Sequence, residues 1–217
     1  MLQLFGHPFS SYTWKAKIAL YENATPFVFR MLGPEQPDNG AELARLWPLA
    51  KFPVLTDDAR TIFEATAIIE HLAVHHPGRV ALIPDDRDAA IEARMLDRVF
   101  DNYVMDPMQR IVGDRLRPEG RGDAYGVDAA RESLDRIYAW LDDRMAQREW
   151  AAGAFGLADC AAAPSLFYAD WAHPIPDRHT ALRAYRARLL ARPSVARAVD
   201  EARPYRSYFP LGAPDRD

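Results

Sequence analysis

The stretch Trp47–Ile69, WPLAKFPVLTDDARTIFEATAII, decides how the rest of the chain is read. A proline sits between two apolar residues, a short β-like run follows, a tight turn reverses the chain, and an acidic residue opens a helix. PVLT (53–56) and TIF (61–63) read as a hairpin across Asp57-Asp58-Ala59-Arg60. EATAIIEHLAVHH then has helical spacing and is stopped by Pro77-Gly78. A trans Pro53 at a strand start is tolerated by the ladder. A cis bond, found in about 5–6% of X–Pro bonds in folded proteins, would turn the Phe52 N–H and C=O outward to pair with an extended peptide ligand. The residues leave both isomers open.

Upstream, LQLF (2–5) and FVFRM (27–31) read as strands. They flank YTWKAKIALYEN, in which Trp14, Ile18 and Tyr21 share one helical face. These two strands are expected parallel, joined by a right-handed crossover. AELARLW (41–47) reads as a short second helix. Downstream, two prolines and a turn signal in PGRVALIPDDR (77–87) mark a linker. Every later periodic segment is helical. DAAIEARMLDRVFDNYVMDPMQRIV is expected to kink at Pro107. VDAARESLDRIYAWLDDRMAQ, GLADCAAAPSLFYADWA, TALRAYRARLLAR and PSVARAVDEA follow, the last with Pro193 at a favourable first-turn position. The tail PYRSYFPLGAPDRD reads as irregular. Tyr103, Trp140, Phe167 and Trp171 read as core. The domains expected are an α/β unit (1–76), a linker (77–87) and an all-helical unit (88–217).

The 217 residues are 49% hydrophobic and 27% charged, the balance of a globular protein. A net charge of −4 with no basic stripe argues against a nucleic-acid partner. The single cysteine, Cys160, excludes an intrachain disulfide and a multi-thiolate zinc site, and reads as a small core residue. No run is long and apolar enough to span a membrane, and MLQLFGHPFSS lacks the pattern of a signal peptide, so a cytoplasmic location is expected. All three lysines (Lys15, Lys17, Lys51) lie in the first quarter, which reads as composition bias.

Three places could carry chemistry. Ser10 and Ser11 stand at the start of the first helix, where a serine is either an N-cap or a hydroxyl donor to an anion. A thiol held there, with an ordinary pKa near about 8.5, would be drawn toward thiolate. No His/Asp partner supports a hydrolase triad. Glu64 either complements the next helix dipole or pairs with an ammonium, while the free N–H groups of Ala65 and Thr66 receive a carboxylate. His71 and His75, four apart, have metal-ligand spacing, but no third ligand is evident. They read as polar side chains at a helix C-terminus, and no metal is expected.

Taken in order, SSYTWKAKIAL, KFPVL, FEATAI and GLADCAAAPSLF resemble the cytosolic glutathione transferase family over nearly the whole chain. Serine-type bacterial members of the zeta-like and tau-like kind are the most similar. The resemblance implies a thioredoxin-like N-terminal domain, an all-α C-terminal bundle and a homodimer. It implies glutathione as co-substrate, a detoxifying conjugation to a small apolar electrophile, and Ser10 as the residue that activates the thiol. A glutathione-dependent isomerase of the zeta-like kind and a non-catalytic binding protein of the same fold are the alternatives. A disulfide oxidoreductase would need a cysteine near Ser10, and there is none. The resemblance also implies a cis Pro53, a Phe52 backbone pairing with the cysteinyl unit, Lys51 near the glycyl carboxylate and Ser11 beside the thiol. Glu64 and residue 65 would hold the γ-glutamyl end. Tyr103, Met105, Met108 and Gln109 would line the acceptor pocket.

This chain departs from the family pattern at three positions. Ala65 stands where the family has serine, leaving Thr66 as the expected partial replacement. Phe52 is bulkier than the usual valine. Gly156 replaces a Ser or Thr N-cap, with Asp159 as the acidic partner of a capping box.

Overall fold

The computed structural model describes residues 1–217. Strand β1 (Leu2–Gly6) leads through α1 (Ser11–Glu22) to β2 (Val28–Met31), and α2 (Pro37–Leu46) leads to the hairpin β3 (Val54–Asp57) and β4 (Arg60–Phe63). The sheet order is β2-β1-β3-β4. β1 runs parallel to β2, with Leu4 opposite Phe29, and antiparallel to β3, with Leu4 opposite Leu55. Helix α3 (Ala65–His75) follows the hairpin without a spacer. This is the thioredoxin-like arrangement expected from the sequence.

Every element after α3 is helical: α4 (Arg87–Val99), a π turn (Phe100–Met105), α5 (Asp106–Arg115), α6 (Ala124–Met145), α7 (Leu157–Ala172), α8 (Thr180–Ala191), α9 (Pro193–Ala202) and a terminal 3₁₀ turn (Arg203–Tyr208). No helix is long and apolar enough to cross a membrane. Helix α7 is the hub, with all but its last residue buried. It packs against α1, where Trp14 lies 4.9 Å from the Phe167 ring. One apolar core therefore runs from the sheet side of α1 into the helical bundle. Cys160 lies within it, as expected, and burial holds its thiol well above the usual range.

Several expectations need correction. Helix α2 starts four residues early, at Pro37, because a proline without an N–H fits the first helical position. Pro107 does not simply kink one helix. It has no N–H for the carbonyl of Tyr103, and the chain widens just before it into a π turn, in which the Asp106 N–H reaches Asp101 C=O. Tyr103 and Trp140 are exposed rather than core, whereas Phe167 and Trp171 are buried. The tail contains a 3₁₀ turn rather than being wholly irregular.

The lysines are not mere composition either. Lys15 is 1% exposed and Lys17 3% exposed. Lys15 Nζ lies 2.5 Å from Asp97 and 2.7 Å from Asp101, joining α1 to α4 and the π turn. Lys17 pairs with Glu201 of α9.

Candidate functional site

Helix α1 starts where it does because Ser10 caps it, its Oγ accepting from the Thr13 N–H at 3.3 Å. No acceptor in the chain engages the Ser10 O–H, so the hydroxyl can still donate. Ser10 is half-buried and Ser11 buried. On the facing hairpin the Phe52–Pro53 bond is cis. The turn and loop hydrogen bonds leave both the N–H and C=O of Phe52 unpaired. Glu64 has φ 66°, a left-handed backbone rare for a residue with a side chain. That conformation turns the chain from β4 directly into α3. The Glu64 side chain does not cap α3, so the Ala65 and Thr66 N–H groups remain as free helix-start donors.

The Phe52–Pro53 segment and the start of α3 meet around a cleft of about 290 Å³. Tyr12, Trp47, Lys51, Phe52, Pro53, Phe63, Glu64 and Ala65 form one wall. Arg98, Asp101, Asn102 and Gln109 form the other. Trp47 and Phe63 stack at 4.4 Å, making an apolar floor. Lys51 and Arg98 contribute positive charge, Glu64 and Asp101 negative charge. The set is complementary to a small zwitterion with an extended backbone. Burial, reinforced by the carboxylates of Asp101 and Asp106, pushes the Tyr12 phenol up to about 12, so it stays a neutral O–H donor.

Behind the cleft, a buried charged network fixes α3 against the bundle. The Thr66 hydroxyl donates to Asp97 Oδ2 at 2.9 Å and accepts from Lys15 Nζ at 2.9 Å and from Arg98. One donation and two acceptances saturate a hydroxyl. The expectation that the Thr66 side chain replaces a serine at 65 is thereby corrected; only its N–H remains available. Arg98 also reaches Asp97 at 2.5 Å and Asp101 at 2.8 Å. Burial pushes the Asp101 carboxyl up, while Lys15 pulls it back.

The cleft thus gathers Lys51, Phe52, Pro53, Glu64, Ala65 and Gln109 from the residues singled out in the sequence. Ser10 and Ser11 are not in its lining. The acceptor-pocket set is mostly corrected. Met105 and Met108 are core side chains at 1% and 5% exposure, and Tyr103 points to solvent. The extra residue in the π turn rotates the helix register, so that Asp101 and Asn102 face the cleft beside the expected Gln109. Sequence reasoning missed Trp47, Phe63, Arg98, Asp101 and Asn102. Trp47 and Phe63 flank the hairpin and could have been marked as its apolar floor. Arg98, Asp101 and Asn102 carry no local signal, because only the docking of α4 brings them to the site.

Comparison with known proteins agrees with this fold. Residues 4–80 match the glutathione S-transferase N-terminal domain, and residues 124–188 match the C-terminal domain. A probable maleylacetoacetate isomerase of Vibrio cholerae is 29% identical, over 94% of this chain and 97% of that protein. A glutathione S-transferase of Methylobacterium radiotolerans, solved with glutathione sulfonate, is 30% identical, with TM-score 0.78 over 91% of this chain and 94% of that one. One from Methylobacillus flagellatus, solved with glutathione bound, is 25% identical, with TM-score 0.81 over 91% and 98%. The chain, with its thioredoxin-like sheet, cis-proline hairpin and all-helical second half, belongs to the glutathione S-transferase family.

Proposed function

We propose that the protein is a glutathione transferase that conjugates the glutathione thiolate to a small apolar electrophile, working as a homodimer. The observation that carries this reading is the unpaired Phe52 backbone beside cis-Pro53, facing the open N-terminus of α3 across one cleft. The cysteinyl unit pairs with Phe52 as an added strand. The γ-glutamyl carboxylate lies on the Ala65 and Thr66 N–H groups, and its ammonium pairs with Glu64. Lys51 faces the glycyl carboxylate. The Ser10 O–H, at the positive end of α1, donates to sulfur and lowers the thiol pKa, with Ser11 next to it. Most of the rate comes from orientation and from the larger thiolate fraction.

The likeness to the Vibrio cholerae isomerase supports a second reading, a glutathione-dependent cis–trans isomerisation. The thiolate adds to one carbon of a conjugated double bond, the resulting single bond rotates, and the thiolate leaves with its electron pair. Glutathione is regenerated and no atoms are lost. Turnover of a cis-dienoic acid without consumption of glutathione selects this reading over conjugation.

The deciding experiment is a calorimetric titration with glutathione, combined with ultraviolet titration of the bound thiol. It uses the wild type, Ser10→Ala and Tyr12→Phe. Sub-millimolar binding is expected for all three, with the thiol pKa returning toward about 8.5 only in Ser10→Ala. Return of the pKa only in Tyr12→Phe would transfer the donor role to the cleft-lining phenol. No binding by the wild type at several millimolar glutathione would overturn the enzyme reading in favour of a non-catalytic binding protein.

A further inference from the structure

At the opposite end of α3 from the cleft, three side chains converge on one point. Asp57 ends β3, His71 lies on α3, and His76 is its C-terminal cap. His71 Nε2 is 2.9 Å and His76 Nε2 2.8 Å from the same oxygen, Asp57 Oδ2. The three potential ligand atoms all lie within 4.8 Å of one another. His71 and Asp57 are largely buried, with side-chain exposures of 9% and 13%; His76 is about one-third open at 32%. His75, which the sequence spacing pairs with His71, turns to the Arg60 guanidinium at 3.1 Å instead.

Two imidazoles sharing one carboxylate oxygen could be only a brace between hairpin and helix. Two features exceed that role. The donor set, two imidazole nitrogens and one carboxylate oxygen, is one that zinc sites use with a solvent ligand in the fourth position. The cluster sits at the C-terminal end of α3, where the helix dipole favours a cation.

We propose that Asp57, His71 and His76 bind a divalent transition-metal ion of the zinc type, with water completing the shell. Zn–N and Zn–O bonds of about 2.0–2.2 Å in a tetrahedron separate the ligand atoms by about 3.4 Å. The two Asp57 contacts, at 2.9 and 2.8 Å, need to open by about half an ångström, while the two imidazole nitrogens, within 4.8 Å of each other, close toward the same separation. Each imidazole presents its Nε2 lone pair to the ion when Nδ1 carries the ring proton. The hard ions Mg²⁺ and Ca²⁺ prefer all-oxygen shells and are excluded by two nitrogen ligands. The ion ties the β3–β4 hairpin to the end of α3, away from the cleft.

The test uses the full chain without a polyhistidine tag, stripped with chelator and free of glutathione, titrated with Co²⁺ and then Zn²⁺. The expected result is a stoichiometric visible Co²⁺ spectrum of the four-coordinate kind, displaced by Zn²⁺ but not by Mg²⁺. Asp57→Asn keeps an acceptor for both imidazoles, so the brace survives; its metal affinity is expected to fall by more than about tenfold. His76→Gln should lose affinity similarly, and His75→Gln should leave it unchanged. Absence of the spectrum, or a spectrum unaltered in Asp57→Asn and His76→Gln, overturns the proposal.

Discussion

On the proposed binding mode, Ala65 is the residue on which glutathione affinity turns. Its side chain is 5% exposed at the first position of α3, and its N–H is free. A hydroxyl here would add a second donor at the point where α3 already presents its positive end. The neighbouring Thr66 hydroxyl cannot serve, because Lys15, Arg98 and Asp97 already saturate it. A hydrogen bond to a charged group is worth about 1.5–3 kcal/mol, so Ala65→Ser is expected to tighten glutathione binding by one to two powers of ten. Calorimetric titration of both forms checks this. Equal affinities would mean that the γ-glutamyl carboxylate does not lie on the start of α3. The place of Ala65 at the start of α3 was legible in sequence as far as the family motif reaches. What sequence did not reveal is that Thr66 faces backwards, since that orientation is set by α4 packing behind it.

At the scale of an element, the start of α7 shows where a local rule gives way to packing. Capping statistics favour Ser or Thr over Gly at the N-cap by a few tenths of a kcal/mol. Here Asp159 fulfils the expected half of the capping box, its Oδ2 accepting from the Gly156 N–H at 3.0 Å. Its other oxygen takes the Ala151 N–H at 2.9 Å and the Tyr185 hydroxyl at 2.6 Å. The glycine is explained by a neighbour distant in sequence. A Cβ at 156 would lie 2.8 Å from the backbone oxygen of Leu82, which the Leu157 N–H also holds at 2.8 Å. The backbone φ of −165° is extended and open to any residue, so the constraint is space alone. Gly156→Ser is therefore expected to destabilise by about 1–3 kcal/mol, as overpacking does, despite supplying a better cap. Urea unfolding measures it; a stabilised variant would show that the 77–87 segment yields without cost. Strands and most helices were legible because hydrophobic period and turn residues are local. The start of α2 and the π turn were not, because Pro37 and Pro107 each admit more than one local outcome that packing resolves.

Across the whole molecule, the two halves are joined by charge as well as by apolar contact. Lys15 on α1 lies against Asp97 and Asp101 from the helical half, with Thr66 of α3 and Arg98 completing the network. A compact ammonium on a flexible stem can enter such a space, whereas a planar guanidinium demands its own fork of partners. This accounts for a lysine here in a chain that otherwise relies on arginine. Removing one partner of a buried pair strands the others: Lys15→Met leaves two buried carboxylates sharing only Arg98, and such losses cost about 3–5 kcal/mol. The loss should be largest at neutral pH and shrink in acid. Without the ammonium, burial pushes the Asp101 carboxyl further up, so its protonation then relieves the variant. In the wild type Lys15 holds part of that rise back, so protonation of Asp101 brings less relief there. Denaturant unfolding of both proteins between about pH 4 and 7, the range over which carboxyls raised above about 3.9 take up protons, should give stability curves that converge toward the acid end. Parallel curves would mean that the network carries no net charge coupling. The union of α1 and α4 would then rest on the apolar core around Trp14 and Phe167 alone.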